Sequence, residues 1–308
     1  MTVWLAGAGV VGHRLSQLCS DDRLSLFDPR RDPFPELAAG DIVVLAIPGR
    51  HRGLVEQIGR HGASVITLAD DLDDTQQLFD LGALFSSNDA ALVVGAGMSP
   101  GLSGLLARHL SSRLHRVDEL HVAMHGTAGP ACARVHHRSL SGRSPGYIDG
   151  EWKEFHGGSG RELCWFPEHV GAVDCYRAGS PLPILLHRAF PETQRISSRR
   201  SATRRDRLTA RLPMLRPPHA EGGVGALRVE VRGASPDGAR ETYVMGIAEL
   251  VGSVAAAVIA AMITELESSG LAAGLVIPGA TDVPTNRLLH HIQEYGIRIQ
   301  EFTGQPSD

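Results

Sequence analysis

Short apolar runs separated by amphipathic stretches fill the first hundred residues. Val3–Ala6, Leu24–Phe27, Asp41–Pro48, Ser64–Leu68 and Ala90–Val94 are largely apolar, and the third (DIVVLAIP) shows no polar alternation. Such runs suit parallel strands buried on both faces. Between them, Val10–Cys19, Arg50–His61, Asp74–Leu81 and Ser103–Arg113 read as helices. Repeated strand–helix units predict a doubly wound parallel sheet.

The pattern changes after about residue 113. Val117–His125 alternates like a strand with one solvated face. Residues 126–183 are rich in Gly, Pro, Ser and aromatics, and short strands and loops are expected there, with a hairpin at Gly146–Trp152. Gly225–Val231 and Thr242–Ile247 flank Ser235-Pro236-Asp237-Gly238, a turn that predicts a second hairpin. A long helix is expected over Glu249–Ser268. The tail adds a short strand, a helix near Thr285–Tyr295 and a last strand over Ile297–Phe302.

Composition narrows the function classes. With 43% hydrophobic and 21% charged residues the 308-residue chain is ordinary globular protein. Thirty basic against 34 acidic residues leave a net charge of −4, so no basic excess points to nucleic acid or to an anionic membrane. The longest apolar run, Leu250–Ile263, is 14 residues, short of the roughly 20 that a span needs, and is expected as a buried helix. Cys19, Cys132, Cys164 and Cys175 form no C-x-x-C pair, which argues against a disulfide framework or structural zinc. The start shows no basic segment followed by a cleavage site. A cytoplasmic home is the expectation. Lys153, the single lysine, reflects genome base bias.

Gly7-Ala8-Gly9-Val10-Val11-Gly12 is G-x-G-x-x-G between an expected strand and an expected helix. Gly7 permits the tight turn, Gly9 lets a pyrophosphate approach the backbone, and Gly12 lets helix and strand pack closely. The phosphates then meet the unpaired N–H groups of the helix N-terminus. Asp28 closes the second strand, 21 residues after Gly7, where a carboxylate accepts hydrogen bonds from an adenosine ribose. The combination predicts dinucleotide binding. Asp28 favours NAD, whereas Arg30 and Arg31 beside it are suited to the 2′-phosphate of NADP. NAD leads and NADP stays open.

The stretch Val93-Val94-Gly95-Ala96-Gly97-Met98-Ser99-Pro100-Gly101-Leu102-Ser103, continuing to Leu105-Leu106-Ala107, resembles the G-x-x-P-G-L-S-x-L-L-A segment of the saccharopine dehydrogenase-like oxidoreductases. Ala46-Ile47-Pro48-Gly49 is similar to that family's loop over the cofactor. Ser64–Asp70 resembles its Y-V-D strand end, with Ile66 near the tyrosine position. Weaker likenesses are Asp149-Gly150-Glu151-Trp152, Phe166-Pro167 with Val170-Gly171 and Cys175-Tyr176, and Gly274–Pro278, after which Gly279 stands where the family often has Glu. The chain is shorter than the usual members.

The resemblance implies a Rossmann doubly wound parallel sheet with an inserted α+β domain built on a mostly antiparallel sheet. It divides the chain into a dinucleotide-binding domain over 1–112, a substrate and dimerisation domain over 113–245, and a segment over 246–308 that returns to the first domain. It implies NAD or NADP, and hydride transfer at a carbon–nitrogen bond of a small amino-acid-like substrate. Ligands then sit at the carboxyl ends of the parallel strands. That places Ala46–Gly49, Ala69–Asp71 and Gly97–Pro100 around the nicotinamide, with Ala46, Ile47, Pro48, Ala69, Gly97, Met98 and Pro100 as the cofactor contacts and Asp70 at the same edge.

A proton-transfer group is also needed. His125, near the end of its strand, and Asp70, at a strand end on the binding edge, are the candidates. His136-His137 and His290-His291 are adjacent pairs whose members diverge, so no metal site is expected. Arg188–Arg216 holds nine arginines against Glu192 and Asp206. It is read as a solvated face, with capture of an anionic substrate as the alternative. Two further functions stay open: reduction of a carbon–carbon double bond in the same fold, and a dinucleotide-binding regulator without turnover. An apolar open face on the second sheet is expected to seek a homodimer partner.

Overall fold

A computed structural model describes residues 1–19, 24–69, 71–214 and 216–302. The first part runs β1 (Val3–Ala6), α1 (Val10–Leu18), β2 (Leu24–Phe27), β3 (Ile42–Leu45), α2 (Arg52–Arg60), β4 (Ser64–Thr67), α3 (Leu72–Phe79), α4 (Gly82–Ser87), β5 (Ala91–Val94) and α5 (Leu102–Ser111). The middle holds β6 (Arg116–His125), α6 (Pro130–Ser139), β7 (Arg143–Ile148), β8 (Glu151–His156), β9 (Glu162–Trp165), β10 (Ala172–Tyr176), α7 (Leu182–Ala189), β11 (Arg195–Ser201), α8 (Arg204–Thr209), β12 (Val224–Ala234) and β13 (Arg240–Leu250). The chain closes with α9 (Val251–Glu267), β14 (Gly274–Val276), α10 (Thr285–Glu294) and β15 (Gln300–Glu301).

Six strands form a parallel sheet in the order β14-β5-β4-β3-β1-β2. Every residue of β3 and β5 is buried, as their unbroken apolar runs require. The order reverses at β1, so the loops after β1, β3, β4 and β5 open on one crevice. The chain returns to this sheet late: α9 packs against α1 and α10, and β14 adds an edge strand beside β5. Val251 to Ile263 is buried almost throughout, which explains a helix apolar on nearly every side. Among the described residues no helix is long and apolar enough to cross a membrane.

The second sheet has nine strands and is mostly antiparallel, with β11 parallel to β6. Leu120, Val122 and Met124 of β6, Ile196 of β11, and Leu227, Val229 and Val231 of β12 face the first sheet and join its core. The opposite face departs from the apolar surface expected for it. It carries Glu119, His121, Arg199, Arg228, Glu230 and Arg232, with Glu230 4% exposed and paired to Arg228 and Arg232. The strand alternation was legible, but Arg228, Glu230 and Arg232, at alternate positions of β12, place charge, not apolar surface, on the outside.

Two other departures matter. Residues 126–183 contain α6, and α7 begins at their end, where only strands and loops were expected. The buried face of α6 is Ala133, His136 and His137, so its amphipathic stripe is built of histidines and reads as polar. The last strand is only β15, and it pairs with β13 in the second sheet instead of returning to the first.

Candidate functional site

The turn from β1 into α1 shows what each glycine does. Gly7 has φ +117°, and a Cβ there would stand 2.6 Å from the Ala46 carbonyl oxygen. A Cβ at Gly12 would lie 2.0 Å from the Gly7 carbonyl oxygen. Both positions are closed to any side chain by backbone. Gly9 differs, since nothing lies within 4 Å of a Cβ built there. Its missing side chain leaves open space in front of the N-terminus of α1, where Gly9 is the N-cap without a side-chain cap. Unpaired N–H groups facing an open cleft are the physical requirement of a pyrophosphate cradle.

That space belongs to a cavity of about 350 Å³. The parallel sheet supplies one wall from three loops: Gly9, Val10 and Val11; Ala46, Ile47 and Pro48; Gly97, Met98, Ser99 and Pro100. The third loop is pinned by Gly97 N donating to Pro100 O (2.8 Å) and Leu102 N donating to Gly97 O (2.9 Å), and the Ser99–Pro100 bond is cis. A Cβ at Gly101 would meet Gly97 O at 2.0 Å, so this turn admits no other residue without moving. The opposite wall is α6, through Ala128 to Cys132, Arg134, Val135, His136 and Ser139, with Met124 and Arg200 from the second sheet. Gly129, the N-cap of α6, sits on the Val10 side chain: a Cβ there would be 2.6 Å from Val10 Cγ2. The helices α1 and α6 thus begin side by side at one end of the cleft.

The structure brings most of the expected cofactor residues together. Gly9, Val10, Val11, Ala46, Ile47, Pro48, Gly97, Met98 and Pro100 line the cavity, and Gly7, Ala8 and Gly12 form the turn beneath it. Asp28 follows β2 directly, Arg30 comes two residues later, and neither lines the cavity. The Asp28 carboxylate accepts the Arg30 backbone N–H at 3.0 Å. Its other oxygen stands 3.7 Å from Arg31 Nε. Ala69 is buried with φ +52° and its N–H donates to Thr67 Oγ1 at 3.2 Å, beside the cleft instead of on its wall. Asp70 lies outside the described residues.

His125 lies in a neighbouring cavity of about 370 Å³, with His136, His137, Ser201 and Asp206. Its Nδ1 is 2.9 Å from Ser201 Oγ, and burial holds its basicity below the ordinary imidazole value. His136 is the histidine common to both cavities. Burial pushes it down to about 3, the nearby Arg200 charge acting in the same direction, so the ring is neutral. Of the nine arginines over 188–216, Arg200 alone lines the cofactor cleft; its Nη2 donates to Ser99 O at 3.3 Å. Others are engaged elsewhere: Arg195 pairs with Asp149 at 3.2 Å, Arg199 with Glu162, and Arg207 stacks on Tyr176.

The α6 wall escaped the sequence reading. The available signal was Gly129-Pro130, a glycine free to adopt φ +135° followed by proline at the first helical position. The residues after it place Ala131, Val135 and Ser139 at helical spacing on the cleft side.

No family model and no curated protein matches the sequence. Solved structures do. The fold matches saccharopine dehydrogenase (L-Glu forming) from Saccharomyces cerevisiae with a TM-score of 0.67 at 14% identity, over 98% of this chain and all (100%) of that one. The fold is saccharopine dehydrogenase-like. Homospermidine synthase from Legionella pneumophila, solved in complex with NAD, matches with a TM-score of 0.72 at 12% identity, over 98% of this chain and 91% of that one. These saccharopine dehydrogenase-like neighbours span the parallel sheet, the second sheet and the returning C-terminal segment together.

Proposed function

We propose that the protein is an NAD(P)-dependent oxidoreductase that transfers hydride at the carbon–nitrogen bond of a small amino-acid-like substrate. The observation that carries this is the open face of Gly9 above the α1 N-terminus, continuous with a cleft whose far wall is a second sheet and helix. The similar folds of saccharopine dehydrogenase and of an NAD-bound homospermidine synthase support it. Residues 1–112 act as the cofactor domain, 113–245 as the substrate domain, and 246–308 as a segment whose α9, β14 and α10 return to the first while β15 joins the second sheet.

The nicotinamide supplies or takes the hydride. The chain supplies the rest. The N–H groups at the start of α1 hold phosphate. Ala46–Pro48 and Gly97–Pro100 form the apolar rim that keeps water from the reacting face. Asp28 meets the ribose hydroxyls and repels a 2′-phosphate, so NAD is preferred over NADP. His125 and Asp70 stay as proton-transfer candidates, His125 acting from the adjoining cavity. A cytoplasmic setting fits four free cysteines. A homodimer belongs to the same reading; it draws on the free β9 edge, where Leu163 is 55% exposed, since the charged sheet face does not supply the apolar patch.

Fluorescence titration with NADH and NADPH tests the reading. NADH is expected to bind at least about tenfold tighter than NADPH. A Cβ at Gly9 meets nothing within 4 Å, so Gly9→Trp places its bulk in the space in front of α1 and should abolish binding, with circular dichroism confirming that the protein stays folded. A wild type that binds neither nucleotide overturns the proposal.

A further inference from the structure

The charged outer side of the second sheet holds a third cavity, of about 350 Å³, lined by five arginines and three glutamates. Each glutamate is already engaged: Glu119 with His121, Glu162 with Arg199, and Glu230 with Arg228 and Arg232. Arg177 is left over. Its guanidinium has no hydrogen bond and no ion pair among the described residues. It is held in place all the same, because its Cζ stacks 4.0 Å from the centroid of Phe155, a ring on the same cavity. A second cation meets it there. A Cβ built at Gly160 would lie 2.3 Å from Arg177 Nη1 and 3.2 Å from Arg199 Nη1, so the two nitrogens are at most about 5.5 Å apart. Arg199 is fixed too: Nη1 donates to Gly160 O at 2.5 Å, and the side chain is only 15% exposed. Burial, and then the Arg199 charge, lowers the basicity of Arg177, with Glu162 acting the other way. Two cations this close repel each other, and the one carboxylate beside them pairs with Arg199.

We propose that this cavity is a second ligand site, which takes a small organic oxoanion, a carboxylate or a phosphate ester, between Arg177 and Arg199. The spacing suits such a group. Charge-assisted N–H···O bonds are about 2.7–2.9 Å long, so one oxygen can bridge two nitrogens up to about 5.6 Å apart. A guanidinium has five N–H donors, so Arg199 keeps its bond to Gly160 and still has donors to give. Arg177 loses little freedom on binding, because Phe155 already holds its plane. The anion supplies the carboxylate or phosphate oxygen that Arg177 lacks and screens one cation from the other. The cavity volume limits the ligand to metabolite size. The site is separate from the cofactor cleft: Arg199 and Arg200 are neighbours on β11, and their side chains take opposite faces of the sheet, one to each cavity. The inference therefore stands apart from the oxidoreductase reading.

The test titrates the full chain, labelled with ¹⁵N-arginine, with inorganic phosphate and with succinate. Sodium chloride holds the ionic strength at about 0.15 M, so general screening stays constant. At least one anion should bind with a Kd of about 1 mM or tighter, and it should move the Nε–H resonances of Arg177 and Arg199. Tighter binding of phosphate points to a phosphate ester as the ligand, and tighter binding of succinate to a carboxylate. Arg177→Met keeps an unbranched chain over Phe155 and removes the charge; it should weaken binding by about tenfold or more. Glu162→Gln releases Arg199 from its carboxylate and should tighten binding by about threefold or more. Arg161→Ala, whose charge pairs with Asp174 outside the cavity, should change it by less than about twofold. No binding of either anion at this level, binding that leaves the Arg177 and Arg199 resonances in place, or equal binding by wild type and Arg177→Met overturns the inference. An anion held only at the N-terminus of α1 gives the second of these results. Where circular dichroism shows that Arg177→Met does not fold, the wild-type resonances and Glu162→Gln decide.

Discussion

A histidine that stays neutral inside the protein ties stability to pH. The folded-state value of His136, about 3, lies far below the ordinary 6.5. The unfolded chain therefore takes up a proton that the folded chain refuses. The stabilisation is complete above the unfolded value and is lost as pH falls from 6.5 toward 3. Burial lowers His125 in the same direction. Between pH 7 and pH 5 His136 alone should remove about 2 kcal/mol from the unfolding free energy. Urea unfolding at pH 7, 6 and 5 measures this, and His136→Phe should show a shallower pH slope than the wild type. Equal slopes would mean that the fold does not hold the ring neutral.

Helix α5 and the β14 segment meet through two glycines with no space between them. A Cβ at Gly104 would lie 2.1 Å from the Pro278 carbonyl oxygen, and one at Gly279 would lie 2.5 Å from the Gly104 oxygen. The obstacle is backbone in both cases. Gly104→Ala should destabilise the protein by about 1–3 kcal/mol, read as a lower urea midpoint with an unchanged slope. Gly279 has φ +98° and no space for a side chain. The elements of the parallel sheet were legible because burial on both faces leaves an unbroken apolar signature, as in Ile42–Leu45 and Ala91–Val94. The glycine turn was legible because its chemistry is local. Helix α6 was not, because His136 and His137 occupy core positions and hide its stripe. The far half of the cleft depends on a contact between Gly129 and Val10 that is distant in sequence.

At the scale of the whole molecule, one core joins the two sheets. Leu5 and Val93 of the first, Leu120 and Val229 of the second, and Val254 to Ile263 of α9 belong to a single buried cluster. The cleft draws its walls from both sheets, so a dinucleotide bound there holds them against each other. Unfolding is then expected as one transition, and a ligand that binds only the folded state must raise its midpoint as a unit. NADH at about a hundred times its Kd adds about 2.7 kcal/mol. For a chain of this size that corresponds to an increase of about 4 °C. Scanning calorimetry of the wild type and of Gly9→Trp with and without NADH makes the measurement. A single peak that moves in the wild type and stays fixed in Gly9→Trp is the expected result. Two peaks, of which NADH moves only one, would mean that the sheets unfold independently and that the α6 wall makes no energetic contact with the bound nucleotide. A single peak that NADH leaves in place would mean that the open face of Gly9 does not hold the nucleotide.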